Sequence, residues 1–90
     1  MACWSIEFLL AAEKDLAQLD AGTRRRIIEK LEWFQDNFDS VVPITLMGEF
    51  RAFYKLRIGD WRVFYKINHT KQTIVICYID RRDKAYKKMS

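Results

Sequence analysis

Phe53-Tyr54-Lys55-Leu56-Arg57-Ile58-Gly59-Asp60-Trp61-Arg62-Val63-Phe64-Tyr65-Lys66-Ile67 sets aromatic and branched residues against cations on both sides of a Gly-Asp pair. Aromatic and β-branched residues favour strands. Gly59-Asp60 suits a two-residue hairpin loop of type II′ or I′, in which glycine supplies the positive φ. A loop of that length fixes the register: Ile58 faces Trp61, Arg57 faces Arg62, Leu56 faces Val63, Lys55 faces Phe64 and Tyr54 faces Tyr65. Opposed residues share a face and faces alternate. One face therefore holds Ala52, Tyr54, Leu56, Ile58, Trp61, Val63, Tyr65 and Ile67, a surface made for a core. The other holds Arg51, Phe53, Lys55, Arg57, Arg62, Phe64, Lys66 and Asn68, with five cations, two phenylalanines and no acid.

Working outward, Thr73 to Asp80 reads as a further strand after the turn Asn68 to Gln72, whose length leaves Tyr78 able to face either side. Cys3 to Phe8 alternates and reads as a first strand. Leu9 to Leu19 follows as a helix with Ala12, Leu16 and Leu19 on one stripe. Asp20 or Thr23 caps a second helix running to about Phe38, in which Ile27, Leu31, Phe34 and Phe38 recur at the spacing of a buried face. So short a connection predicts an antiparallel helical hairpin. Asp39 to Gly48 reads as a loop, and the basic segment after Asp80 as a tail with one helical turn. The order β-α-α-β-β-β(-α) predicts an α+β fold, a mainly antiparallel sheet packed on a helical hairpin, as one domain over residues 1–90.

Composition narrows the function. The chain has 90 residues, half of them hydrophobic, with 16 Lys+Arg against 12 Asp+Glu and a net charge of +4. That is the composition of a folded domain with a bias toward anionic partners. No apolar run approaches the roughly 20 residues of a membrane span, and the opening Met1 to Glu7 has no basic n-region, so a cytoplasmic protein without membrane contact is expected. Cys3 and Cys77 read as reduced core thiols. His69 is the lone histidine; it reads as a surface turn residue, and neither a metal site nor a cofactor is expected. Trp61 reads as core by parity. Arg24-Arg25-Arg26 opens the second helix against its dipole, which leaves both a functional patch and a solvated face open.

Arg57 opposite Arg62 is repulsive in isolation. A bound polyanion turns that repulsion into attraction, with Phe53 and Phe64 offering rings for base stacking. A solvated outer face and an acidic protein partner are the other readings of the same pattern.

Phe53 to Ile67 resembles the signature hairpin of the RelE/ParE toxin superfamily, which runs close to "lRvGdyRviYei". Ile76-Cys77-Tyr78-Ile79-Asp80-Arg81-Arg82-Asp83-Lys84-Ala85-Tyr86 resembles its closing strand and "HRrdvY" tail, and Phe8 to Leu19 its first helix. The resemblance implies the toxin of a type II toxin–antitoxin pair, with a cognate antitoxin as partner. For RelE-type members it implies action on mRNA in the ribosomal A site, the RNA's 2′-hydroxyl attacking the adjacent phosphate to leave a 2′,3′-cyclic phosphate and a 5′-hydroxyl. ParE-type members, which inhibit DNA gyrase, and non-catalytic RNA-binding members are the alternatives.

Carried over by position, the resemblance implies Lys55, Arg62, Arg81 and Tyr86 as catalytic residues. Arg57 and Arg82 match family arginines and, with Arg51 and Lys66 of the basic face and Lys84 of the basic tail, are expected to contact RNA phosphates. In that scheme Lys55 is the base on the 2′-hydroxyl, Arg81 attends the leaving oxygen and Tyr86 orients the nucleotide. Arg82 matches the family's post-strand arginine as well as Arg81 does. Phe53 stands where the family carries a cation, and Asp80 where many members carry histidine.

Overall fold

The computed structural model describes residues 4–41, 43–45 and 53–81. Five strands form one sheet in the order β1-β5-β4-β3-β2. They are β1 (Ser5–Phe8), β2 (Ile44–Thr45), β3 (Tyr54–Ile58), β4 (Trp61–Asn68) and β5 (Thr73–Arg81), with α1 (Leu10–Ala17) and α2 (Ala21–Asp36) between β1 and β2. All pairings are antiparallel except β1 with β5, which is parallel. The α+β fold expected from the sequence is the one observed. Where the sequence suggested only loop, a short 3-10 turn (Phe38–Ser40) and the two-residue β2 appear. The basic segment after Arg81 lies outside the described residues, as does Cys3.

The β3–β4 register is the one the two-residue loop dictates, from Ile58 opposite Trp61 to Tyr54 opposite Tyr65. Gly59 has φ +60°, and Gln72 is the one non-glycine of positive φ among the described residues, so Asp60 is not left-handed. That selects the type II′ geometry over I′.

Asp20 caps α2, its carboxylate accepting the Thr23 N–H at 2.7 Å. The hydrogen bonds from Thr23 hold its pKa below the usual aspartate value. Ile27, Leu31 and Phe34 of α2, with Phe38 beyond it, are buried as their spacing requires. They meet Ala12 of α1 and Ile58, Val63, Tyr65, Ile74, Ile76 and Ile79 of the sheet. Phe34, Phe38 and Tyr65 interlock edge to face, with centroids 5.1–6.4 Å apart. Trp61 faces this side, half-buried against the core. Fully burying each such side chain contributes roughly 1.5–3 kcal/mol.

Two polar devices hold α1. Arg24 donates to the carbonyls of Leu16, Ala17 and Leu19 at 3.2, 3.3 and 2.7 Å, closing the carbonyl end of the helix. A helix end leaves such acceptors open, and a cation there also suits the dipole. Asp15 Oδ2 accepts the backbone N–H of Ile79 at 3.0 Å, at a point on β5 beyond the end of β1. No helix among the described residues is long and apolar enough to cross a membrane.

Candidate functional site

The face of the sheet turned away from the helices is built in rows across β3, β4 and β5. One row reads Arg57, Arg62, Asp80; the next reads Lys55, Phe64, Tyr78; a third pairs Lys66 with Val75. Lys55, Arg57, Arg62 and Lys66 thus share a face because strand alternation and the Gly59 loop leave them no other arrangement. Arg57 is exposed, and its Nε donates to the carbonyl of Gly59 at 3.3 Å. Arg62 is half-buried, and its Nε is shut off from solvent without a hydrogen-bond partner among the described residues. A buried guanidinium nitrogen without an acceptor is costly, and an anion reaching it recovers that cost.

Several expectations need correction. The face is not free of acids, because β5 brings Asp80 opposite Arg62. The Asp80 carboxylate accepts the backbone N–H of Arg81 at 2.8 Å. Phe64 is on this side but has 0% exposure, so its ring is not available for stacking. Arg81 is not brought together with Lys55 and Arg62. It pairs with Trp61, whose side chain faces the helices, and its guanidinium lies 5.9 Å from the Trp61 ring centroid. There it lines a cleft of about 340 Å³ with Trp61, Asp15, Gln18, Leu19, Ile79 and Asp80. The reason is parity, since Arg81 is two positions beyond the core residue Ile79. Arg51, Arg82, Lys84 and Tyr86 lie outside the described residues.

Tyr78, whose side the sequence left open, joins the cationic face. A bulge between Phe64 and Tyr65 moves the partner of successive β4 residues from Ile76 to Tyr78, skipping Cys77. The rings of Phe53 and Tyr78 lie 6.0 Å apart at 57°, and Lys66 Nζ sits 4.9 Å from the Phe53 centroid. Cys77 itself is a free, buried thiol, and burial raises its pKa while nearby Lys66 works in the opposite direction. His69 is an exposed turn residue, edge-on to Trp4 at 6.2 Å. Among the described residues no three of His, Cys, Asp and Glu gather as a metal site would require.

A face that collects lysines and arginines from adjoining strands, with one guanidinium nitrogen unpaired, is suited to phosphate oxygens. Residues 6–86 match the family described as the ParE toxin of the type II toxin–antitoxin system parDE. The chain belongs to that family.

Solved structures agree on the fold of this ParE-family toxin. A chain of the RelBE2 toxin–antitoxin complex from Mycobacterium tuberculosis superposes with a TM-score of 0.79 at 23% identity, covering 90% of this chain and 100% of that one. A mutant Escherichia coli RelE toxin in the free state gives 0.75 at 18% identity, covering 98% and 93%. YafQ from Escherichia coli gives 0.64 at 14%, covering 92% and 98%. Among curated proteins, none matches the sequence. The family match is thus to ParE, whereas these structural neighbours include RelE and YafQ toxins, all on one fold.

Proposed function

We propose that this toxin is a ribosome-dependent mRNA endonuclease that cuts in the A site and so arrests translation in the cytoplasm. The observation that carries this reading is the row of Arg57 and Arg62 beside Lys55, with Arg62 Nε buried and unpaired. In the reaction Lys55 takes the proton of the 2′-hydroxyl as that oxygen bonds to phosphorus. The bond from phosphorus to the 5′-oxygen breaks, and the leaving oxygen takes a proton from water, giving a 2′,3′-cyclic phosphate and a 5′-hydroxyl. Arg57 and Arg62 stabilise the charge gathered on the phosphorane; one such donor is typically worth roughly 3–4 kcal/mol.

Of the two post-strand arginines, Arg81 is turned toward Trp61, which favours Arg82 as the cation beside the leaving oxygen. Tyr86 orients the nucleotide, and Arg51, Lys66 and Lys84 contact the RNA backbone. A cognate antitoxin holds the toxin in check, as the neighbouring toxin–antitoxin complexes suggest, and supplies acids to these cations.

The family match favours a second reading, a gyrase-directed toxin of the ParE type, as does Phe53 at a position where the RelE pattern carries a cation. Purified toxin added to a reconstituted translation reaction separates the two. Translation arrest with A-site cuts ending in cyclic phosphate, lost in Lys55→Ala and Arg62→Ala, supports the nuclease. Intact translation with gyrase-trapped DNA breaks overturns it in favour of the second reading.

A further inference from the structure

We infer that Phe53 and Tyr78 form a stacking platform for a nucleobase, so that the cationic face holds single-stranded RNA by its bases as well as its phosphates. The inference rests on the nuclease reading and deepens it by naming residues that touch the base.

Strand alternation alone would send Tyr78 inward, since Ile74 and Ile76 both belong to the core. The bulge inserts Cys77 as an extra residue, turns Tyr78 to the cationic face opposite Phe64, and returns Ile79 to the core. A bulge gives up a ladder pair in the middle of a sheet, and such irregularities concentrate where a side chain must be re-aimed. The result is two half-buried rings 6.0 Å apart, with Tyr78 opposite the wholly buried Phe64.

One cation lies against the pair, and a second stands two strands away in the row of Tyr78. Lys66 Nζ is 4.9 Å from the Phe53 ring, and Lys55 shares a row with Tyr78. A phosphate engaged by these lysines places its own base, or its neighbour's, within reach of the rings. Aromatic rings among backbone-tracking cations are the general recipe for single-strand binding, because every base has a face to stack. The tilt of 57° between the rings favours one base on one ring over a base sandwiched between two.

The test compares two labelled oligonucleotides by fluorescence anisotropy, a 2′-O-methyl hexa-adenylate, which cannot be cleaved, and the same backbone without bases. The proposal expects the base-bearing strand to bind about fivefold to a hundredfold more tightly. Tyr78→Leu and Phe53→Leu should each cut that preference by fivefold or more without changing affinity for the abasic strand, and Tyr78→Phe should restore it. Circular dichroism checks the fold, and Phe53, which lies just before β3, keeps the test open should Tyr78→Leu not fold. Equal binding of the two strands by wild type, or an unchanged preference in folded Phe53→Leu, overturns the platform but leaves the nuclease reading standing. Failure of wild type to bind either strand overturns the platform alone, and failure to cut mRNA on the ribosome overturns the nuclease reading and the platform with it.

Discussion

Arg57 and Arg62 stand directly opposite each other on neighbouring strands, two guanidinium groups sharing one row of the sheet. Nothing in folding asks for this. Like charges so paired destabilise a sheet by a few tenths to about 1 kcal/mol, and the unpaired Nε of Arg62 adds to that cost. Function and stability therefore pull apart at this row.

Arg62→Met keeps the length of the stem and removes both the repulsion and the unpaired donor. It should raise stability by about 0.5–2 kcal/mol, seen as a higher midpoint in thermal or urea unfolding. On the proposed nuclease reading, ribosome-dependent cleavage should fall on the order of a hundredfold or more. A lower midpoint would mean that Arg62 is a structural residue.

Asp15 ties α1 to β5 through the N–H of Ile79. Asp15→Ala strands that donor in a partly buried place and should cost about 1–3 kcal/mol. Asp15→Asn keeps an acceptor and should lose less. Urea titration of the two variants, with exchange of the Ile79 amide followed by NMR, checks the order.

The arginine run at the start of α2 divides by role. Arg24 serves three carbonyls of the α1 end, so Arg24→Ala should destabilise by about 1–2 kcal/mol. Arg25 and Arg26 are exposed, and their alanine variants should stay within about 0.5 kcal/mol of wild type. Equal losses for all three would point to helix propensity instead of the carbonyl contacts.

Burial, helped by neighbouring Tyr54, pushes the Tyr65 hydroxyl from its ordinary 10.0 to about 12. A folded-state pKa above the unfolded one stabilises the fold while the hydroxyl is protonated in both states, and that contribution drains away as pH climbs from about 10 through 12. Stability measured across that interval should decline, and the decline should be shallower in Tyr65→Phe. Identical alkaline profiles for the two proteins would show that Tyr65 is ordinarily solvated.

The hairpin was legible because a two-residue loop with glycine at its first position admits one register, and register assigns every side chain a face. The buried stripe from Ile27 to Phe38 was legible for a similar reason, the helical period. Other features depend on contacts that no local pattern carries. The bulge at Cys77 has no marker in composition, so the side taken by Tyr78 stayed open. The meeting of Asp15 with Ile79 joins residues 64 positions apart. Arg81 looked like a member of the site because the family pattern places a cation there, yet counting from Ile79 turns it toward Trp61. Phe64 passed for a solvent-facing ring because alternation reports direction and is silent about what shuts a residue from solvent.

The parallel pairing of β1 with β5 carries a temporal consequence. Among the described strands β1 has β5 as its only sheet neighbour, and β5 also completes the row of Arg57 and Arg62. During synthesis from the amino end, α2 can pack on the β3–β4 hairpin through contacts such as Phe34 with Tyr65, but β1 cannot join the sheet until β5 has emerged. Pairings so distant along the chain are slow to close. Docking of β1 is therefore a late step of assembly, and it waits for the same strand that completes the cationic row.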